Sequence, residues 1–347
     1  MKELEIQLEY RFEGEWGDPE LGRLVRNCKR NFNTEASHQV VIAPAENHTI
    51  SVTNPMTTMA LTHKTSLSSN LDEMIANVCQ AINQGDQNTI DTYCTDNGKE
   101  IFRAFMRTGK VRVHNATMYE LVTFCGDTYV RSIPMTISYR QGKSVMENVV
   151  LVFNKDMKID GLQYALDQLT IQDIMGHPSK GMDRVMWNDT IKYSIVNFLE
   201  NYRTAYSLKR IDFISTLFAD DAVIIVGRVV KTQNEMKDGR TVNMKPKITY
   251  SHPTKKEYIE RLKQNFQSNE WININFANAE VSIGRGMHGI QLKQNYSSTH
   301  YGDEGFLFLM VDFSHQDEPL IHLRAWTPDG KYSFEDYDKL LQEERRR

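Results

Sequence analysis

Between Trp187 and Val230 the hydrophobic positions change their period. Ile191, Ile195, Phe198, Leu199, Tyr202 and Tyr206 recur every three or four residues, which places them on one face of a long helix. Ile211, Ile214, Leu217 and Phe218 continue that spacing on a second, shorter helix. Asp220 and Asp221 then interrupt it as an acidic turn, and the β-branched run at 223–226 with Val229 and Val230 predicts a strand. Residues 231–251, rich in Lys, Asp, Gly and Asn, read as a long exposed hairpin. Thr254 and Glu257 have capping-box spacing for a helix carrying Tyr258, Leu262 and Phe266. Strands are predicted at 271–276, 279–283, 289–296, 306–313 and 321–326. A short helix with Phe334, Tyr337, Leu340 and Leu341 closes the chain.

The same order occurs upstream. Leu71, Ile75, Val78, Cys79 and Ile82 form a helical stripe with Ser69 or Asn70 as N-cap, and a short helix follows at 101–106. Strands are then predicted at 120–124, 129–139, 145–153 and 157–164, separated by Gly-Asp, Gln-Gly and Asn-Lys-Asp turns. Thr89–Cys94 and Arg210–Ser215 share a short Ile-Asp echo after a longer helix, but the repeated element order says more than the letters. Before Ser66 the chain alternates strictly at Leu4, Ile6, Leu8, Tyr10 and Phe12, then carries a helical segment at 21–32 and strands at 40–42 and 49–52. These observations divide the chain into a β-rich extension (1–65), a first compact unit (66–174) and a second (182–347), with 175–181 as linker.

At 347 residues this organisation fits the length, and 25% charged with 40% hydrophobic residues describes a globular chain. The net charge of −4 gives no concentrated basic face for nucleic acid, and no apolar run reaches the roughly 20 residues that span a bilayer. Glu3, Glu5 and Glu9 interrupt any signal-peptide pattern, so the default compartment is the cytoplasm. Cys28, Cys79, Cys94 and Cys125 lack metal-ligand spacing and read as buried free thiols. Nucleotide-binding glycine loops, H-E-x-x-H and G-x-S-x-G are absent from the sequence, so no cofactor or metal is expected.

Helices first and a curved antiparallel sheet laid over them, as read from about 182–333, resembles the nuclear transport factor 2-like fold; over about 66–170 the likeness is looser. The resemblance implies an α+β protein with two tandem cone-like units, each with N-terminal helices on a curved antiparallel sheet, plus the N-terminal extension. It also implies a pocket inside the cone and pairing through the outer sheet face, either as a homodimer or between the two units of one chain. Polar residues on a concave face must then be paired or useful. Strand alternation puts His322, Arg324 and Trp326 on one face of the last strand, and Gln291, Lys293 and Asn295 on one face of 289–296. The ligand-binding candidates are Tyr202, Tyr206, Trp271, Gln291, His322, Arg324 and Trp326. His322 with Asp220 or Asp221 forms a candidate acid–base pair, and Tyr202 or Tyr206 a candidate hydrogen-bond donor. Against that, Asp220 and Asp221 suit a structural turn, and His322 and Arg324 suit a wet sheet face.

The sequence therefore favours a non-catalytic module that binds a small apolar or amphipathic ligand or serves assembly. The alternative is a cofactor-independent isomerase, dehydratase or hydrolase acting in the cone of the second unit. Nucleic acid and membrane are not expected partners.

Overall fold

The computed structural model describes residues 39–42, 49–54, 57–63, 69–114, 119–176, 187–230, 233–235, 241–243, 247–284, 286–314, 318–328, 330, 333 and 335–338. Contacts divide the chain into two units, Met1–Thr65 and Ser66–Arg347. In the first, β1 (Gln39–Ile42), β2 (Thr49–Asn54) and β3 (Thr57–His63) form an antiparallel meander, with Val40 opposite Val52 and Ile50 opposite Leu61. The strand expected at 3–12 and the helix at 21–32 lie outside the described residues, as do most of the closing helix and Cys28.

The larger unit is α+β and carries two curled sheets. Its first half opens with α1 (Ser69–Gln84), whose stripe from Leu71 to Ile82 is buried. Asp86 caps α2 (Gln87–Tyr93) by accepting from the Thr89 amide, and Thr95 caps α3 (Asp96–Thr108) through Gly98. Gly98 is required by packing: a Cβ there would sit 2.2 Å from the Ile159 carbonyl oxygen. The antiparallel order β5 (Glu120–Phe124), β6 (Asp127–Ser138), β7 (Ser144–Phe153), β8 (Ile159–Tyr164) follows, and β4 (Lys110–Val113) pairs with the far end of β6. A register slip between Val130 and Ile133, with Ser132 at φ 66, bends the sheet around α1 and α3. Phe102, Phe105, Phe153 and Tyr164 fill the interior.

In the second half, α4 (Gln168–Met175) is capped by Asp167, and α5 (Asp189–Ser207) by Asn188. Although α4 follows the first sheet, its Ile174 and the preceding Leu166 belong to the second core. After α6 (Ile211–Thr216) the chain turns at Leu217 and enters β9 (Phe218–Val230) at once. Asp220 and Asp221 are thus strand residues and not a turn: the Leu217 carbonyl already accepts from the Ile321 amide, and Phe218 is in register with Ile321. The 231–251 segment holds β10 (Gln233–Glu235) paired with β11 (Thr241–Asn243), then β12 (Lys247–Ser251). The expected capping box opens α7 (Lys255–Ser268).

Four long strands complete the second sheet: β13 (Ile272–Gly284), β14 (Met287–Ser298), β15 (Gly302–Asp312) and β16 (Leu320–Thr327). The order is β12-β9-β16-β15-β14-β13, antiparallel except for β16 beside β9. The two strands expected at 271–276 and 279–283 are one strand, bulged between Ala277 and Glu280 with Asn278 at φ 51. Ile290, Leu292, Leu307, Leu309 and Val311 face α5 on the concave side. Phe308, Met310, Leu323 and Ala325 lie on the convex side, where Tyr337 stacks on Phe308 at 4.2 Å. β15 is buried on both faces, as its sequence predicts.

Helix α5 joins the halves. Leu199, Tyr202 and Tyr206 point into the second core, whereas Glu200, Arg203 and Thr204 are buried against the first sheet and its exit. The Thr204 hydroxyl accepts from the Tyr164 amide at 2.8 Å, and Gln163 donates to Asn197 at 2.8 Å. Trp271 stacks on Tyr139 at 4.8 Å, with the Lys143 ammonium 4.5 Å above its ring. Among the described residues, no helix is long and apolar enough to cross a membrane. Cys79 and Cys94 are buried, and burial raises the Cys79 thiol to about 12; Cys125, expected inside, is exposed in the turn between β5 and β6.

Candidate functional site

A pocket of about 260 Å³ opens at one end of the second cone, where α7 leans over the sheet. Tyr206, Tyr258, Gln294, Asp303, Arg324 and Trp326 are among the residues that line it. Local structure positions each of them. The capping box fixes the start of α7 and sets Tyr258 facing α5, where its hydroxyl meets that of Tyr206 at 2.7 Å. On β14 the concave alternation runs Ile290, Leu292, Gln294, Tyr296, so that apolar side chains give way to polar ones as the cone opens. Trp326 lies flat because its neighbours lack side chains: a Cβ on Gly305 would come 2.5 Å from the indole, and one on Gly227 3.2 Å.

Arg324 is the unusual group. It is 7% exposed, its Nε donates to the Tyr202 hydroxyl at 3.1 Å, and its guanidinium lies 5.2 Å from the Tyr258 ring centroid. Neither terminal nitrogen has a hydrogen-bond acceptor among the described residues, and no carboxylate forms an ion pair with it. An arginine does not lose its proton in a protein, so this is a desolvated positive charge with donors to spare. The Trp326 indole N–H and one carboxylate oxygen of Asp303 are likewise buried without partners, whereas Tyr301 donates to the other Asp303 oxygen at 2.8 Å. Desolvation holds the Asp303 carboxyl above the usual carboxylate range. Burial also lifts the Tyr206 and Tyr258 phenols, the latter to about 12, so both are neutral donors at ordinary pH.

Of the residues expected from the sequence, Tyr206, Arg324 and Trp326 line this pocket. Tyr202 stands behind it, bonded to Arg324 and 4.6 Å from the Tyr206 ring. The others lie elsewhere. Trp271 packs against Tyr139 in the first core. Gln291 is on the convex face opposite Phe308, because Ile290 and Leu292 take the concave one. His322 does not share a face with Arg324 by simple alternation: β16 slips register against β9 between Ile321 and Leu323, so Ile321 faces the concave core and Leu323 the convex one. At that slip the His322 Nδ1 sits 3.8 Å from an Asp221 carboxylate that is 61% exposed, outside the pocket lining. Asp220 bonds the Lys255 ammonium at 2.9 Å on the surface, which lowers its pKa.

Sequence reasoning missed Tyr258, Gln294 and Asp303. Tyr258 was read as part of the apolar stripe of α7, which it also is. Gln294 lies within β14 and Asp303 at the start of β15, and for both, alternation gives the face but not the depth along the cone. Among the described residues, no group of three or more His, Cys, Asp or Glu converges as a metal site.

No model of a protein family matches the chain, and no curated protein matches it. Solved structures do. Bd1075 of Bdellovibrio bacteriovorus aligns at 14% identity and a TM-score of 0.32 over 50% of this chain and 47% of its own, so this chain spans about half that neighbour's length. A protein assigned as a dehydratase of the NTF2-like family from Streptomyces avermitilis aligns at 10% identity and a TM-score of 0.28, over 40% of this chain and 96% of that one. A protein assigned as scytalone dehydratase from Novosphingobium aromaticivorans aligns at 9% and 0.27, over 39% and 80%. These neighbours are cone-fold proteins, and the pocket's properties are read from its own side chains.

Proposed function

We propose that the second cone is a small-ligand-binding module that performs no reaction itself. The supporting observation is the set of unanswered polar atoms at the pocket: the Arg324 Nη1, the Trp326 N–H and an Asp303 oxygen. Buried polar groups in folded proteins are overwhelmingly paired, so a cluster of unpaired ones around a cavity marks partners that arrive from outside. The apolar remainder of the lining, including Val226, Leu262 and Ile274, supplies surface for a ligand's body.

A second reading has one observation in its favour. Asp303 combines a raised pKa with a place in the pocket, and a carboxylate held up by desolvation is the kind of group that abstracts a proton. A cofactor-independent isomerase, dehydratase or hydrolase would therefore use Asp303 as base, with Arg324 stabilising developing negative charge, in place of His322.

Screening the full-length chain against small organic molecules by ligand-observed NMR tests the assignment. Binders are expected that Leu262→Trp, which fills the mouth, displaces without altering the circular dichroism. Binders indifferent to Leu262→Trp would place the site elsewhere, and a binder that is turned over, with turnover lost in Asp303→Asn, would move the assignment to the enzyme.

A further inference from the structure

We propose that the pocket takes a single-ring aromatic monocarboxylate, whose carboxylate is received by the terminal nitrogens of Arg324. The proposal rests on the ligand-binding reading above and gives that ligand its chemistry.

The charge of the ligand follows from Arg324. Its Nε is committed to Tyr202, which orients the guanidinium plane, while Nη1 is buried and unpaired and Nη2 has no acceptor among the described residues. Two terminal nitrogens without acceptors among the described residues, one of them buried, match the two oxygens of a carboxylate. The number of charges follows from the rest of the lining. Arg261 stands at the exposed rim, and Asp303 is the anionic side chain among the described lining residues, so two cations face one anion. A net charge of one suits a monoanion. A phosphate monoester, with about −1.5 to −2 charges at neutral pH, would bring more charge than this lining balances and would sit against Asp303.

The shape follows from the aromatics. Tyr206, Tyr258, Tyr296, Tyr301 and Trp326 all line the space, and Gly305 and Gly227 let the Trp326 indole lie flat against the sheet. Flat apolar walls favour a flat apolar body. The volume of about 260 Å³ falls just below the roughly 300–1,000 Å³ of sites that hold drug-sized ligands, which favours a small body such as one ring. The unpaired Asp303 oxygen is an acceptor for a hydroxyl on that ring. The structure thus specifies an acid end, a planar middle and a place for a hydrogen-bond donor.

Isothermal titration of the full chain with 4-hydroxybenzoate, 4-hydroxybenzamide and phenyl phosphate tests this. The acid is expected to bind at least about 30-fold more tightly than the isosteric amide, the effect of removing one member of a desolvated ion pair, and phenyl phosphate more weakly than the acid. Arg324→Gln should reduce the acid to the level of the amide and cost the amide, which loses a hydrogen bond but no ion pair, far less than it costs the acid. Arg324→Lys, which keeps the charge and loses the planar fork, should fall between; it carries the comparison if Arg324→Gln does not fold. Equal binding of acid and amide to the wild type would overturn the proposal and leave the ligand-binding reading standing. So would acid binding unaffected by either variant, because the acid would then sit elsewhere. Failure of both acid and amide to bind would overturn the proposal, and the ligand-binding reading would then stand or fall with the NMR screen.

Discussion

Arg131, Arg203 and Arg324 are the buried arginines among the described residues of the larger unit, and the structure treats the last two in opposite ways. Arg203 lies where α5 meets the first sheet and is 3% exposed; Arg324 lies at the mouth of the second cone and is 7% exposed. Every nitrogen of Arg203 is bonded. Its Nε donates to the Ile274 carbonyl and Nη1 to that of Ala165, each at 2.5 Å, and Nη2 donates to Glu147 at 2.6 Å and also to Asn275. Glu147 in turn accepts from Asn273 at 2.7 Å. Next to this network Arg131 forms a two-pronged pair with Glu200, whose Oε1 also accepts from the Leu166 amide at 2.8 Å. Among the described residues Arg324 has one hydrogen bond and one ring contact. Burial alone therefore does not distinguish a structural charge from a functional one; saturation does. A closed network fixes the geometry of two packed halves, whereas an open one, on the proposed reading, is a desolvation cost that a ligand offsets.

The comparison is broken most forcefully at Arg203. Arg203→Met leaves the Glu147 carboxylate buried without its cation and should lower unfolding stability by about 3–5 kcal/mol in urea denaturation, the usual cost of orphaning one partner of a buried pair. A loss below about 1 kcal/mol would mean that water reaches the seam and that the network is not closed.

His288 sharpens the contrast with a buried group that avoids the problem by staying neutral. It is 4% exposed at the narrow end of the cone, both ring nitrogens lack partners, and it meets Phe313 edge-on at 5.3 Å. Desolvation lowers its pKa to about 4, with Asp312 opposing the shift. Because the folded pKa lies below the unfolded one near 6.5, the unfolded chain takes up the proton first. The contribution is fully present above about pH 6.5 and is lost as pH falls toward 4. His288→Leu should thus gain on the wild type by about 3 kcal/mol between pH 7 and pH 4 in chemical denaturation curves. A pH-independent difference between the two proteins would show that His288 reaches solvent.

The smallest stability effect belongs to Arg324. Arg324→Met breaks no ion pair among the described residues, and the Asp303 carboxyl loses only the guanidinium's longer-range attraction, so the free protein should unfold within about 1 kcal/mol of the wild type or somewhat later. The Tyr202 hydroxyl loses one donor, which sets the downside of the change at about 1 kcal/mol.

How far these assignments could be read from the chain follows the same division. The apolar face of α5, the capping box at Thr254 and Glu257 and the strands β5 to β8 are written in period and turn chemistry, which are local. The seam is not. Asn197, Glu200, Thr204 and Ser207 are spaced like the wet face of an amphipathic helix, and only the arrival of Gln163, Tyr164 and Arg131 from the first sheet makes that face an interior. At the mouth, Arg324, Trp326 and Tyr206 were found because their faces follow from strand and helix period. His322 and Gln291 were misplaced for two separate reasons. A register slip next to His322 breaks the period-two rule on β16, and on β14 the alternation is sound but the polar face is the outer one until Gln294. Neither bulges nor depth along a cone leave a mark in hydropathy, since both are set by the neighbouring strands.

Urea unfolding of the wild type, Arg324→Met and Arg203→Met, each with and without saturating 4-hydroxybenzoate, tests the distinction between open and closed buried charge in one measurement. The account predicts that Arg203→Met is strongly destabilised yet still gains from the acid, and that Arg324→Met matches the wild type without acid and gains nothing with it. If Arg324→Met instead collapses like Arg203→Met and the acid stabilises it as much as the wild type, Arg324 is a structural residue and the pocket is not its purpose.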